Sequence, residues 1–139
     1  MTLALDEPHR AAIRTHGEET YPHECCGFLL GTGGGGGRKV VRLRRARNER
    51  DDAGRNRYLI SPRAYLEAEI EAERSGLEIL GFYHSHPDAP ARPSEFDREH
   101  ALPGCSYVIV SVRDGRSGEL LSWLLSGDYT RFEAEPLSG

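Results

Sequence analysis

The stretch that most limits how this chain can fold is "GFYHSHPDAPARPSEFD", residues 81–97. An apolar run ends in two histidines one residue apart. A loop with three prolines follows, and then a Ser and an Asp three apart open a helical segment. Side chains two apart on a strand share a face, so His84 and His86 project together, with Phe82 behind them. Ser94 and Asp97 are i, i+3 neighbours on the helix, with Cβ atoms roughly 5–6 Å apart. Each proline fixes its own φ and restrains the residue before it, so the loop is stiff. A stiff loop can hold the helix over the strand end and bring Asp97 to the two histidines.

Two neutral imidazoles and one carboxylate form a set suited to Zn²⁺, with the fourth tetrahedral position open to water. A closed structural site needs a fourth protein ligand, and none is obvious nearby in the sequence. Zinc lowers the pKa of bound water and polarises a carbonyl oxygen, the two requirements of amide hydrolysis. Such a site still wants a general base. Glu24, in "PHECCGFLLG", directly precedes an apolar run and comes near the metal if that run lies beside the His-bearing strand.

The remaining elements follow from local signals. Residues 7–20 read as a helix with Asp6 as cap and Pro8 in the first turn. "CCGFLLG" (25–31) is a buried strand and "RKVVRLRRA" (38–46) its partner across a glycine-rich link; "RYLI" (57–60) is a short strand. Ser61-Pro62 starts a helix that carries Leu66 and Ile70 at i, i+4 spacing and stops at Gly76. "LEILGFYHS" is the His-bearing strand, and residues 94–102 form a short helix with Ser94 at its N-cap. "SYVIVSV" and "GELLSWLLS" flank "RDGRSG" as a hairpin, "YTRFEAE" is a last edge element, and the final residues fray. The pattern is one α/β domain over residues 1–139, a mixed sheet flanked by helices.

Composition narrows the function. A net charge of −4 argues against general nucleic-acid binding. Three cysteines without a CxxC pair fit reduced thiols, and Cys25 and Cys26 read as small buried hydrophobes. The start, "MTLALDEPHR", has no signal-like apolar region, and no run reaches membrane-spanning length, which gives a cytoplasmic protein with no membrane partner. The basic run at 38–50 reads as solvated edge-strand arginine or as a dock for an acidic protein partner. His9, His16, His23 and His100 are isolated and read as surface or satisfied core residues. "HSHPD" departs from the HxHxD pattern of metallo-β-lactamase-like hydrolases, which continues with His where this chain has Ala89, so Asp88 is a turn residue.

A Glu, a variable gap, His-Ser-His-Pro, six residues and Ser-x-x-Asp together resemble the JAMM (MPN-plus) metallopeptidases, in a short bacterial single-domain form. The resemblance runs from "HECCGFLLG" to "SYVIVSV" and implies their cytidine-deaminase-like mixed sheet. It implies one zinc ion per chain on His84, His86 and Asp97. It makes Glu24 the proton carrier from water to leaving amine, and Ser94 a hydrogen-bond donor to the water or the oxyanion. It further implies a peptidase or isopeptidase acting at the C-terminus of a ubiquitin-like sulfur-carrier protein. The other readings are a zinc amidase on small or cell-wall peptides and a non-catalytic MPN scaffold, which the retained ligands disfavour.

Overall fold

The computed structural model of the protein describes residues 2–33, 37–49 and 58–139. Its helices begin where the sequence places their caps. In α1 (Glu7–Thr20) the Asp6 carboxylate accepts the His9 N–H at 3.2 Å, with Pro8 in the first turn. In α2 (Pro62–Arg74) the Ser61 hydroxyl accepts from Ala64 at 3.1 Å, and α3 (Glu95–His100) is capped by Ser94. A side-chain acceptor at such a position satisfies one of the backbone donors that a helix start leaves unpaired.

Eight strands form one sheet. They are β1 (Leu3–Ala4), β2 (Cys26–Thr32), β3 (Arg38–Ala46), β4 (Glu78–Pro87), β5 (Ser106–Arg113), β6 (Arg116–Leu125), β7 (Phe132–Glu135) and β8 (Leu137–Ser138). Their order is β7-β6-β5-β4-β2-β3-β1-β8, so β4, which carries both histidines, is central, antiparallel to β2 and parallel to β5. The β5–β6 hairpin turns through Asp114 and Gly115, both at positive φ, as a tight two-residue loop requires.

Strands β7 and β8 lie at opposite edges, yet only Pro136 separates them in sequence. Two residues span at most about 7 Å, so the sheet curls until its edges nearly meet. Arg38 fills that seam. Its guanidinium donates to Glu135 at 3.1 Å and to Ser106 Oγ at 2.6 Å, while Ser106 and Ser122 donate to the other Glu135 oxygen at 2.7 and 2.8 Å. Closure also corrects the expectation of a frayed end: Leu137 and Ser138 pair with Leu3 and Ala4, and the Leu5 N–H donates to the Ser138 carbonyl at 2.8 Å.

The sheet packs apolar residues on both faces. One face, under α1, holds Ile13, Leu29, Tyr83 and Val110; the other, under α2, holds Phe28, Phe82, Ala68 and Ala72. A register shift opposite Leu29 and Leu30 makes Leu80 an extra residue in β4, sending Leu80 and Tyr83 to the first face and Ile79 and Phe82 to the second. From Phe82 onward the period of two carries His84 and His86 to the α2–α3 side. Gly81 is required just before them, since a Cβ there would overlap the Ser106 carbonyl of β5.

Leu66 and Ile70 lie at i, i+4 spacing on α2 as expected, and they are 56% and 40% exposed. The sheet supplies the bulk at this contact through Phe28 and Phe82, so α2 approaches with Ala68 and Ala72 instead. Residues 58–60 of the expected "RYLI" strand form no strand, and Arg57 lies outside the described residues. Much of the described part of the basic run is answered within the chain, and Arg50 lies outside the described residues. Arg42 and Arg44 reach Glu71 at 3.2 and 2.6 Å, and Arg45 reaches Glu19 at 3.0 Å. Among the described residues no helix is long and apolar enough to cross a membrane.

The seam predicts an asymmetry. Glu135 is fully buried and Arg38 nearly so, and removing one partner of a buried pair typically costs about 3–5 kcal/mol. Urea denaturation of Glu135→Ala is expected to show a loss of that order, whereas Arg45→Ala, which breaks an exposed pair, leaves the midpoint almost unmoved.

Candidate metal centre

Strand β4 delivers two rings to one point. His84 faces Cys26 across β2 and Ile109 across β5, and it is wholly buried. His86 follows at the strand's end. The loop after it is fixed at three successive carbonyls: Ala89 accepts from Ser111 Oγ at 2.6 Å, Pro90 from the His86 ring at 2.9 Å, and Ala91 from Trp123 Nε1 at 2.9 Å. The bond to Pro90 is donated by His86 Nδ1–H and leaves Nε2 as the ring's lone-pair atom. Asp88 is the turn residue expected, at φ 53°, where its carboxylate accepts from the Tyr21 hydroxyl and the Asp114 N–H.

Helix α3 brings the carboxylate. Ser94 and Asp97 form a reciprocal capping box: Ser94 Oγ accepts the Asp97 N–H at 3.1 Å, and Asp97 Oδ2 accepts the Ser94 N–H at 2.8 Å. The same Oδ2 lies 3.3 Å from His84 Nε2 and 3.2 Å from His86 Nε2, and the two Nε2 atoms are 3.1 Å apart. Tetrahedral ligands at bond lengths of about 2.0–2.1 Å sit ~3.3 Å from one another. The triangle already has that edge length, so these three residues fit a divalent cation of zinc's size. The fit also accounts for a buried place where three lone-pair donors converge, with no Lys or Arg of the described residues paired to them.

Glu24 stands one step further out. Cys26 pairs with His84, and continuing that antiparallel register sets Glu24 level with His86. One atom each of Glu24, His84 and His86 lie within 4.8 Å of one another. Burial pushes the Glu24 carboxyl up from 4.5 to about 9, and the Asp97 charge adds to this. Burial acts on Asp97 too, but the neighbouring His84 ring and the hydrogen bond from the Ser94 N–H outweigh it and hold that carboxyl below its usual range. Burial lowers His84, which favours the neutral ring that a metal needs. The four residues named from sequence as ligands and base therefore converge, and Ser94 is joined to them through Asp97.

Sequence reasoning missed Tyr58. Its ring stacks on His84 with centroids 4.5 Å apart; nothing local to residue 58 signals this. Beyond it a cavity of about 220 Å³ opens beside Asp97, lined by Tyr58, Tyr65, Phe82, Phe96, Leu102 and Tyr107. Phe82 stands in that lining as the sequence places it, two residues before His84 on the same face. His100 also lines that cavity, stacked on Phe96, whereas His16 lies apart. His16 is buried on the far side of the sheet with its ring on the Tyr83 hydroxyl at 2.7 Å, and burial and then Arg45 press its pKa down to about 4. Cys25 and Cys26 are free and buried, and burial pushes the Cys25 thiol up to about 11, away from thiolate chemistry.

The family model describing prokaryotic homologues of the JAB domain matches residues 6–126. A protein of Haloferax volcanii named desampylase is 34% identical over 119 residues, covering 82% of this chain and 83% of that one. A Thermus thermophilus protein named as a probable TtuB-protein conjugate cleaving protease is 48% identical over 64 residues, 46% of this chain and 43% of that one, so the match spans under half of that relative. A solution structure of a Salinibacter ruber protein is 43% identical, with a TM-score of 0.77 over 99% of this chain and 90% of that one.

The raised Glu24 carboxyl makes the metal-free protein sensitive to pH. Below about 4.5 the group is protonated whether the chain is folded or unfolded. Between 4.5 and about 9 the folded chain keeps the proton that the unfolded chain releases, so stability falls as pH rises. Metal-free Glu24→Gln should escape this loss and exceed the wild type by about 3 kcal/mol at pH 7. Parallel stability–pH curves for the two proteins would contradict the assignment.

Proposed function

The chain belongs to the family of prokaryotic homologues of the JAB domain, and from that premise we propose that it is a zinc metallopeptidase cleaving the bond that follows the C-terminal Gly-Gly of a ubiquitin-like sulfur carrier. The observation that carries the chemistry is the triangle of His84 Nε2, His86 Nε2 and Asp97 Oδ2, with edges of 3.1–3.3 Å. The carrier substrate is supported by the resemblance to short sulfur-carrier-associated members. The Thermus relative's name, for cleavage of protein conjugates, points the same way.

His84, His86 and Asp97 would hold one zinc ion. The chemistry it supplies when bound is Lewis-acid polarisation of the scissile carbonyl and acidification of water. The remaining work belongs to the chain. The Pro90 carbonyl fixes the His86 tautomer, and the capping box fixes the Asp97 rotamer. Glu24, whose carboxylate form is favoured once a cation is held beside it, takes the proton from the attacking water and returns it to the leaving amine. Ser94 Oγ accepts from Asp97, and a hydroxyl that accepts one bond keeps its own hydrogen, which leaves it free to donate to the oxyanion of the tetrahedral intermediate.

The test uses a sulfur carrier extended beyond its Gly-Gly end. Cleavage at that junction should stop with chelator, return with zinc, and be absent in His84→Ala. Glu24→Gln should lose about 10²–10⁴-fold in kcat, the range for a positioned acid–base group, while retaining stoichiometric zinc. Cleavage that survives both chelation and His84→Ala removes the zinc mechanism. Turnover of cell-wall peptides alone removes the carrier assignment.

A further inference from the structure

Among the described residues the Glu24 Oε1 is buried without a hydrogen-bond partner that could aim it. Its direction must come from the backbone, and the backbone there lies outside the sheet's regular ladder, because β2 begins only at Cys26. The peptide joining Glu24 to Cys25 is instead gripped on both edges by side chains. Its carbonyl accepts the Asn48 Nδ2–H at 3.2 Å, and its N–H donates to Ser85 Oγ at 2.8 Å. A peptide unit is planar, so holding both edges sets ψ of Glu24 and φ of Cys25, the torsions that connect this residue to the sheet.

The two clamping residues approach from different elements. Ser85 sits between His84 and His86 in sequence but on the opposite face, against α1, where a Cβ on Gly17 would lie 3.3 Å from the Ser85 Cβ. Ser85 therefore moves with the strand that carries both rings without pointing at their centre. Asn48 lies just past β3. Its Oδ1 accepts the Leu59 N–H at 3.1 Å, and the neighbouring Glu49 N–H donates to the Leu59 carbonyl at 2.9 Å. Leu59 follows Tyr58, whose ring covers His84. One carboxamide thus ties the Glu24 peptide to the segment stacked over His84.

We infer that Ser85 and Asn48 are positioning residues that lock the Glu24–Cys25 peptide and so aim Glu24 at the centre formed by His84, His86 and Asp97, while taking no part in binding the metal. The inference rests on the reading of Glu24 as the proton carrier. A displacement of about 1 Å in a catalytic group can cost ~10²-fold in rate. Loss of either clamp should therefore act on kcat through Glu24 alone.

The experiment compares wild type with Ser85→Ala, Asn48→Ala, Asn48→Asp and the double variant Ser85→Ala/Asn48→Ala. Each loaded protein is assayed on the extended carrier. Cobalt-substituted samples report the ligand geometry by absorption, and the Cys25 amide is followed by hydrogen exchange. Both alanine variants should lose up to about 100-fold in kcat with KM and the cobalt spectrum unchanged. The double variant should fall little below the worse single one, because both act through one peptide. Asn48→Asp is the sharpest arm: it keeps the acceptor for Leu59 but sets a carboxylate oxygen against the Glu24 carbonyl, and it should behave like the alanine variant. Full turnover in Asn48→Asp would show that Asn48 serves only the Leu59 segment and would overturn its role. An altered cobalt spectrum in Ser85→Ala would make Ser85 a support for the metal ligands and overturn the claim from the other side. Failure of the wild type on the carrier would sink the substrate assignment alone; the Cys25 amide, expected to exchange faster in Asn48→Ala than in wild type, still decides the clamp. Equal protection there would refute it.

Discussion

Two imidazole nitrogens and one carboxylate oxygen meet within 3.3 Å of one another in a place that solvent barely reaches. Dry protein does not tolerate such a meeting of lone pairs without a proton or a cation between them. The features around it serve the convergence. The extra residue at Leu80 sets which face of β4 the rings occupy. The loop carbonyls at 89–91 each hold a donor. The capping box spends the Asp97 carboxylate on a helix start and on the centre at once. In that sense Ser-x-x-Asp has a structural reading and a chemical one, and here a single oxygen satisfies both.

The curled sheet gives this arrangement its rigidity. Because β7 and β8 are joined by one residue, the edges cannot drift apart, and the buried Arg38–Glu135 pair with its two serines ties β3, β5, β6 and β7 across the closure. The centre lies at the opposite end of β4 from the Arg38 contact with the Leu80 carbonyl. The fold is thus pinned at one end of its middle strand and gathers His84, His86 and Asp97 at the other. Metal-dependent peptidase chemistry on this family's fold needs that stiffness, since each group must stay within a fraction of an ångström of its working position.

Much of this was legible from residues alone. Asp6, Ser61 and Ser94 announce helix starts, and the period of two in "FYHSH" puts both rings on one face. What escaped reading depends on tertiary partners. Strands of two residues at Leu3–Ala4 and Leu137–Ser138 carry too little pattern to register, and they exist because the sheet curls to bring them together. The aromatic bulk on the sheet decides which face of α2 is buried, with Ala68 and Ala72 inward and Leu66 and Ile70 outward. Tyr58, Asn48 and Ser85 make their contacts across 26, 24 and 60 positions, and even the motif that contains Ser85 does not show its reach to Cys25.

The most direct test of the centre is titration of metal-free protein with zinc, read by calorimetry and checked by elemental analysis after dialysis. The account predicts one ion per chain, with the site abolished by Asp97→Asn and by His84→Ala. A chain that takes up no zinc, or that takes up as much after Asp97→Asn as before, would contradict it.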